Sequence, residues 1–267
     1  MAQIKFLIFD ADSSLSTIGN DQDVENVFGF PPIRLVDGVD QLMPYLYQLF
    51  VQTTQVREHP LFGRIEEYRF LPNDHCKAAG IGGLMIDTLS TLGSQTRSLI
   101  KATKETMDKR DWGIYGEKMQ ELLEIISKLD LPVVITSHIE LKEDQIQGRI
   151  MQMPLIKGST ANDIGRYFDA VLYLDITRDL QTGERIYRML TRPTADRFAK
   201  NRKGILEEYE PTLGNVLAKY FRAGLRYPKI LICGTNGSGK TTMLSTYRTL
   251  VRPSTLPTYQ PNQTEAA

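Results

Sequence analysis

The stretch "KILICGTNGSGKTTML", residues 229–244, constrains this chain more than any other. Gly234 to Thr241 fits the pattern G-x-x-x-x-G-K-[ST], preceded by the apolar run Ile230 to Cys233 and followed by a helix-compatible segment. Strand, glycine-rich turn and helix in that order make a loop that binds phosphate. Gly234, Gly237 and Gly239 permit backbone angles that a side chain would forbid, so the N–H groups of Thr235, Asn236 and Ser238, and on to Thr242, can converge on an anion. Lys240 is placed to reach the β- and γ-phosphates, and Thr241 to ligate Mg²⁺. ATP and Mg²⁺ are therefore the expected ligands.

A phosphate-binding loop needs an acid to hold the metal, and here it must lie upstream because little chain follows the loop. "GGLMIDTLSTL" supplies it: Leu84, Met85 and Ile86 read as a strand ending in Asp87, a Walker B pattern. A carboxylate at the C-terminal end of such a strand faces the place where open α/β sheets bind ligands. Thr88 follows Asp87, where many ring ATPases carry a glutamate base. The base must come from elsewhere, and "KFLIFDADSSL" offers Asp10 and Asp12 at the end of another apolar run. "LPVVITSH" adds a further buried strand whose polar end, Thr136, Ser137 and His138, is positioned to sense the γ-phosphate or the attacking water.

Short apolar runs ("IKFLIF", "GLMID", "LPVVITSH", "AVLYLDI", "RIYRMLT", "KILICG") alternate with helical patterns near 38–53 and 115–128. That alternation predicts an α/β fold with a mostly parallel sheet flanked by helices. A chain of 267 residues with 41% hydrophobic content can bury a full core. No linker divides it, so one domain over residues 1–251 is expected. The remainder, 252–267, rich in Pro, Thr and Gln, is expected to be disordered. Net charge is zero, which excludes a global basic field drawing the chain onto nucleic acid or membrane. Cys76 in an expected loop and Cys233 in an expected strand argue against a disulfide framework. No apolar run reaches membrane-spanning length and no signal-peptide core precedes "FDADSS", so the expectation is a cytoplasmic protein without membrane contact.

The set "FDAD", "LMIDTLSTL", "VVITSH" and "AKNRKG" resembles the RecA-like P-loop ATPase core, most closely the phage nucleotide-binding AAA-domain proteins of single-strand annealing and recombination. The resemblance implies a RecA-like P-loop NTPase fold, ATP hydrolysis, action on single-stranded DNA, a homo-oligomer or filament, and a phage single-strand-binding protein as a partner. For a phage-encoded protein the compartment would be the host cytoplasm. In such proteins the acid after the second strand is catalytic, which falls on Asp12, an Asp where bacterial RecA has Glu. Lys200, Asn201 and Arg202 match a basic element near the end of the core, and the resemblance assigns Lys200 and Arg202 to the γ-phosphate of a neighbouring subunit.

In that family the P-loop strand and helix come first, whereas here they come last. The order reads as a circular permutation whose original ends are joined through about residues 205–228. DNA would bind the loops after the Walker B and sensor strands, matching "GSQTRSLIKATKETMDKRDWG" and "HIELKEDQIQGRIMQMPLIKGST". The first carries Arg97, Lys101, Lys104, Lys109, Arg110 and Trp112, cations for phosphates and a ring for a base, although a charge run is equally a solvated helix face. Two other classes stay open: a nucleotide-switched assembly protein with weak hydrolysis, favoured by Asp at position 12, and a small-molecule kinase, with Arg197, Lys200, Arg202 and Lys203 as its lid.

Overall fold

The computed structural model describes residues 4–144, 148–158, 160–178, 182–183 and 185–248. The expected tail, 252–267, and the last residues of the expected domain lie outside the described residues.

The apolar runs form the centre of one sheet. β1 (Lys5–Asp10), β5 (Ile81–Asp87), β6 (Val133–Ser137), β9 (Ala170–Arg178) and β13 (Lys229–Cys233) run parallel, with short β2 (Ile33–Arg34) beyond β1. Inserted between them are α1 (Asp21–Phe28), α2 (Val39–Leu49), β3 (Phe50–His59), β4 (Gly63–Pro72), α3 (Asp74–Ala79), α4 (Leu89–Lys101), α5 (Lys109–Lys128), β7 (Ile139–Asp144), β8 (Arg149–Pro154), α6 (Thr160–Asp163), β10 (Arg185–Leu190), β11 (Lys200–Asn201), β12 (Tyr209–Glu210) and α7 (Leu213–Arg222), and α8 (Lys240–Ser245) follows β13. The sheet order is β12-β10-β9-β13-β6-β5-β1-β2, with β11 also on β9. "RIYRMLT" is β10, which runs antiparallel to β9, as do β11 to β9 and β12 to β10. The α/β fold with a mostly parallel sheet is thus as expected.

Strand periodicity decides which side chains meet. Leu7, Phe9, Leu84, Ile86, Val133, Ile135, Leu231 and Cys233 face one core with α2, α4 and α5. Phe6, Ile8, Met85, Val134, Ile230 and Ile232 face the other, with α1, α7 and α8. Continuing by two residues, Asp10, Asp87 and Thr136 leave the C-terminal ends of three adjacent strands on the α8 side.

Several local expectations are corrected. The helix expected to run to residue 53 stops at Leu49, because Phe50 through His59 pair along their whole length with Gly63 through Pro72 in a hairpin. Its β-branched residues (Val51, Thr53, Thr54, Val56) favour the pleated strand over another helical turn. Cys76 lies in α3, not a loop, and both cysteines are buried and free. The basic stretch after Asp87 is mostly helix, α4 and α5 separated by residues 102–108. Asp108 caps α5, its side chain accepting from the N–H of Asp111 while Asp111 accepts from that of Asp108. The stretch after the sensor strand is the β7–β8 hairpin rather than an open loop.

The two ends of the described chain meet. The Tyr247 hydroxyl donates to the carbonyls of Ile4 (3.3 Å) and Val27 (3.0 Å). Its ring stacks on Phe28 and meets Phe6 edge-on. The end of the P-loop helix is thereby packed against the start of β1.

Candidate nucleotide-binding site

The P-loop leaves β13 in the middle of the sheet, between β6 and β9. Thr235, Asn236 and Gly237 form its exposed crest, and the N–H of Ser238 donates to the Thr235 carbonyl at 3.2 Å to close the turn. Asn236 therefore sits exposed at the tip of the loop. Thr242 is likewise exposed, on the first turn of α8, whereas Ser238 is buried. Gly237 and Gly239 hold φ of 70° and 80°, in the left-handed region that glycine enters without strain. At Gly234 the need is space, since a Cβ there would stand 2.5 Å from Ser238 Oγ. At Gly239 a Cβ would stand 3.1 Å from the ring of Tyr187, a residue on β10 that the sequence reading passed over.

Lys240 is buried at the loop's end. Its ammonium donates to the carbonyls of Gly234 (3.1 Å) and Thr235 (2.8 Å) and to Nδ1 of His138 (3.1 Å). Burial lowers its pKa, opposed by the charges of Asp87 and Asp12. An ammonium only donates, so His138 must accept at Nδ1 and carry its proton at Nε2. That nitrogen faces Asp12 Oδ2 at 3.6 Å. Burial and the nearby Lys240 charge both push His138 below its ordinary value, which keeps the ring neutral. Asp12, one-third exposed, accepts at its other oxygen from Thr91 at 2.9 Å. Asp12, His138 and Lys240 therefore form one chain of contacts across the mouth of the site, with Asp12 at its solvent end.

The candidate metal corner is built around Asp87. Asp87 is fully buried. Thr241 Oγ1 donates to its Oδ2 at 2.7 Å, Ser14 Oγ donates to the same oxygen at 2.6 Å, and Thr136 holds Oδ1. Ser14 and Thr241 are themselves 3.0 Å apart. This set consists entirely of oxygen donors, the chemistry that Mg²⁺ prefers. Thr241 and Asp87 fit the metal role expected of them. Thr136, expected to sense the γ-phosphate or the attacking water, donates to Asp87; Ser137 Oγ lies 3.0 Å from Ser90 Oγ, which accepts the N–H of His138 at 2.9 Å. Ser14 was not singled out from the sequence, and its signal was only the pair of small residues after Asp12. Asp10 is 1% exposed beside Asp87, and burial followed by the Asp87 charge raises its pKa.

The structure does not bring Lys200 and Arg202 to the loop within one subunit. β11 pairs with Ala170 and Val171 at the start of β9, the opposite end of the sheet from Cys233. The Lys200 ammonium donates to the carbonyls of Gly165 (2.5 Å) and Phe168 (3.0 Å), and Arg202 donates to Arg166 O (3.0 Å) and lies 3.5 Å from Asp169. Of the residues expected to meet DNA, Lys104 is held by Asp108 and Asp111, Arg97 lies over the Tyr115 ring, and Trp112, edge-on to Tyr115, is 40% exposed. Among the described residues no helix is long and apolar enough to cross a membrane.

A family model described as an AAA domain matches residues 2–203, a span that includes Asp12, Asp87 and His138 and ends before the P-loop strand. No curated protein and no solved structure matches the chain. With the match covering more than half of the chain, and the glycine-rich loop, Asp87 and Asp12 meeting at the C-terminal ends of central parallel strands, the chain belongs to the AAA-domain family of P-loop ATPases.

Proposed function

We propose that this protein binds ATP with Mg²⁺ and hydrolyses it, and that its turnover is coupled to single-stranded DNA in phage recombination, annealing or repair. The observation that carries the ATPase reading is the meeting of Thr241 with Asp87 and Ser14, groups separated by up to 227 residues and brought within 3.0 Å. In this reading the P-loop backbone and Lys240 hold the phosphates, exchanging the lysine's contacts to Gly234, Thr235 and His138 for phosphate oxygens. Thr241 and Asp87 hold Mg²⁺, which when bound offsets the phosphate charge. Asp12, kept in place by Thr91 and the neutral His138, accepts the proton of the attacking water.

The P-loop at the C-terminal end is read as a circular permutation. Tyr247 beside Ile4 supports this, because an unpermuted chain would pass from the P-loop helix to β1 at that contact. For DNA, the supporting features are the exposed Trp112 edge and the β7–β8 hairpin, which leaves the sheet just past His138 with Leu141 and Ile150 exposed. A homo-oligomer with a basic residue acting in trans would place that role on Arg202, whose side chain is about half exposed, rather than on the engaged Lys200.

Steady-state ATPase rates with and without single-stranded DNA test the proposal. Stimulation by DNA is the expected result. A rate indifferent to DNA together with phosphoryl transfer to a small acceptor would replace the proposal with a kinase, and slow turnover under both conditions with a nucleotide switch.

A further inference from the structure

Asp10 has no part in the chemistry described so far, yet it occupies an unfavourable position. Both of its carboxylate oxygens are buried without a hydrogen-bond partner of normal geometry; the nearby N–H groups of Asp12 and Ser14 offset only part of its charge. It stands in register with Asp87 on the adjacent parallel strand, so both side chains leave the sheet on the same face. On the other side its register partner is Arg34, whose guanidinium turns away to Asp21 at 2.8 Å. Two buried carboxylates side by side repel, and the Arg34 charge offsets this only in part.

The surrounding groups suit a cation. Ser14 and Thr241 hydroxyls converge on Asp87 from the open side, and Thr136 holds its inner oxygen. Among the described residues there is no cluster of three His, Cys, Asp or Glu around a metal-sized space. The donors are two carboxylates and several hydroxyls, a set suited to a small hard ion that keeps part of its water shell.

We propose that Asp10 is a second carboxylate ligand of the divalent cation at this site, held directly or through one water, so that Asp10 and Asp87 together bind Mg²⁺ or Mn²⁺ before any nucleotide arrives. This rests on the nucleotide-site reading above and adds to it. A site with a single carboxylate and a threonine depends on substrate phosphates for most of its metal affinity, whereas a second carboxylate lets the chain hold the ion alone.

The test titrates Mn²⁺ into the full chain without nucleotide, following its electron paramagnetic resonance signal. The wild-type chain should take up one ion. Asp10→Asn should weaken that uptake about 10-fold or more, the scale seen when a group supporting a metal is removed, and Asp10→Glu should recover part of it. In EDTA the thermal midpoint of Asp10→Asn should equal or exceed that of wild type, because the amide removes a buried like charge. Added Mn²⁺ should then raise the wild-type midpoint more than the variant's. Where the Asn variant does not fold, Asp10→Ser serves in its place. Unchanged Mn²⁺ affinity in the variant, or no uptake by wild type at millimolar Mn²⁺, overturns the proposal. A fluorescent ATP analogue bound in EDTA separates the two readings: retained binding confines the failure to the metal ligand, and absent binding removes the nucleotide site as well.

Discussion

His138 lies between Lys240 and Asp12, its Nδ1 3.1 Å from the lysine ammonium and its Nε2 3.6 Å from the Asp12 carboxylate. One imidazole thereby links the P-loop lysine, near the C-terminus, to the candidate base, near the N-terminus. The ring can do so only while neutral, since Nδ1 must accept from the lysine.

Asp12→Asn should keep ATP affinity within a few-fold while losing about 10²-fold or more in turnover, the scale of a positioned base. His138→Gln should lose less, because it loosens Asp12 without removing the carboxylate. Nucleotide binding by fluorescence and phosphate release on the same preparations give the comparison. Equal losses of binding and turnover in Asp12→Asn would make Asp12 a structural residue.

Lys240→Ala should abolish hydrolysis, and Thr241→Ala should chiefly weaken the Mg²⁺-dependent part of ATP binding. Measuring ATP affinity with Mg²⁺ and with EDTA separates the two. The Thr241 variant should approach wild type in EDTA, where the metal contributes nothing.

Lys200→Ala should act on stability. Its ammonium satisfies the carbonyls of Gly165 and Phe168, so its loss should cost about 1–3 kcal/mol, read as a lower denaturation midpoint. Arg202→Ala tests the role across a subunit interface. An arginine acting in trans should cost about 10³-fold in turnover at unchanged stability, with recovery on mixing with Lys240→Ala protein.

Lys229 gives a pH signature. Its ammonium is buried against the carbonyls of Leu129, Leu131 and Tyr227, and burial pushes its pKa down to about 7. Between pH 7 and the ordinary lysine value near 10.5 the unfolded chain binds the proton more readily than the folded one. This contribution to stability therefore rises with pH across that window and is lost as pH falls toward 7. The slope from one such group is at most about 1.4 kcal/mol per pH unit. Unfolding by urea from about pH 7 to about pH 9 should show the rise, and Lys229→Met should flatten it while lowering stability throughout.

A chain that places residues 226–248 ahead of residues 4–222, joined by a short glycine-serine linker between Arg248 and Ile4, should fold and bind ATP. The helix end and strand start are already in contact, so little backbone needs to move. Retained cooperative unfolding and ATP binding would support the permuted reading, and an aggregated or molten product would count against it.

The phosphate loop, the acid-ended strands and the parallel sheet were legible in the sequence because each depends on local order: glycines at fixed offsets, apolar runs of strand length, and a polar residue ending each run. Local pattern failed where pairing partners lay far along the chain. Phe50–His59 reads as a continued helix until Gly63–Pro72 is known to pair with it, and the basic residues after Asp87 read as a loop until α4 and α5 are seen packed on the sheet. The site divided in the same way. Residue types named Thr241 and Asp87 and left Asp10 and Asp12 both open as the base, but only tertiary structure could place Ser14 on Thr241, neutral His138 between Lys240 and Asp12, and Lys200 at the opposite end of β9 from the loop. Those placements follow from strand order, direction and register, which are set by burial of both sheet faces between separate helical layers, and no window of sequence contains the two sides of such a contact.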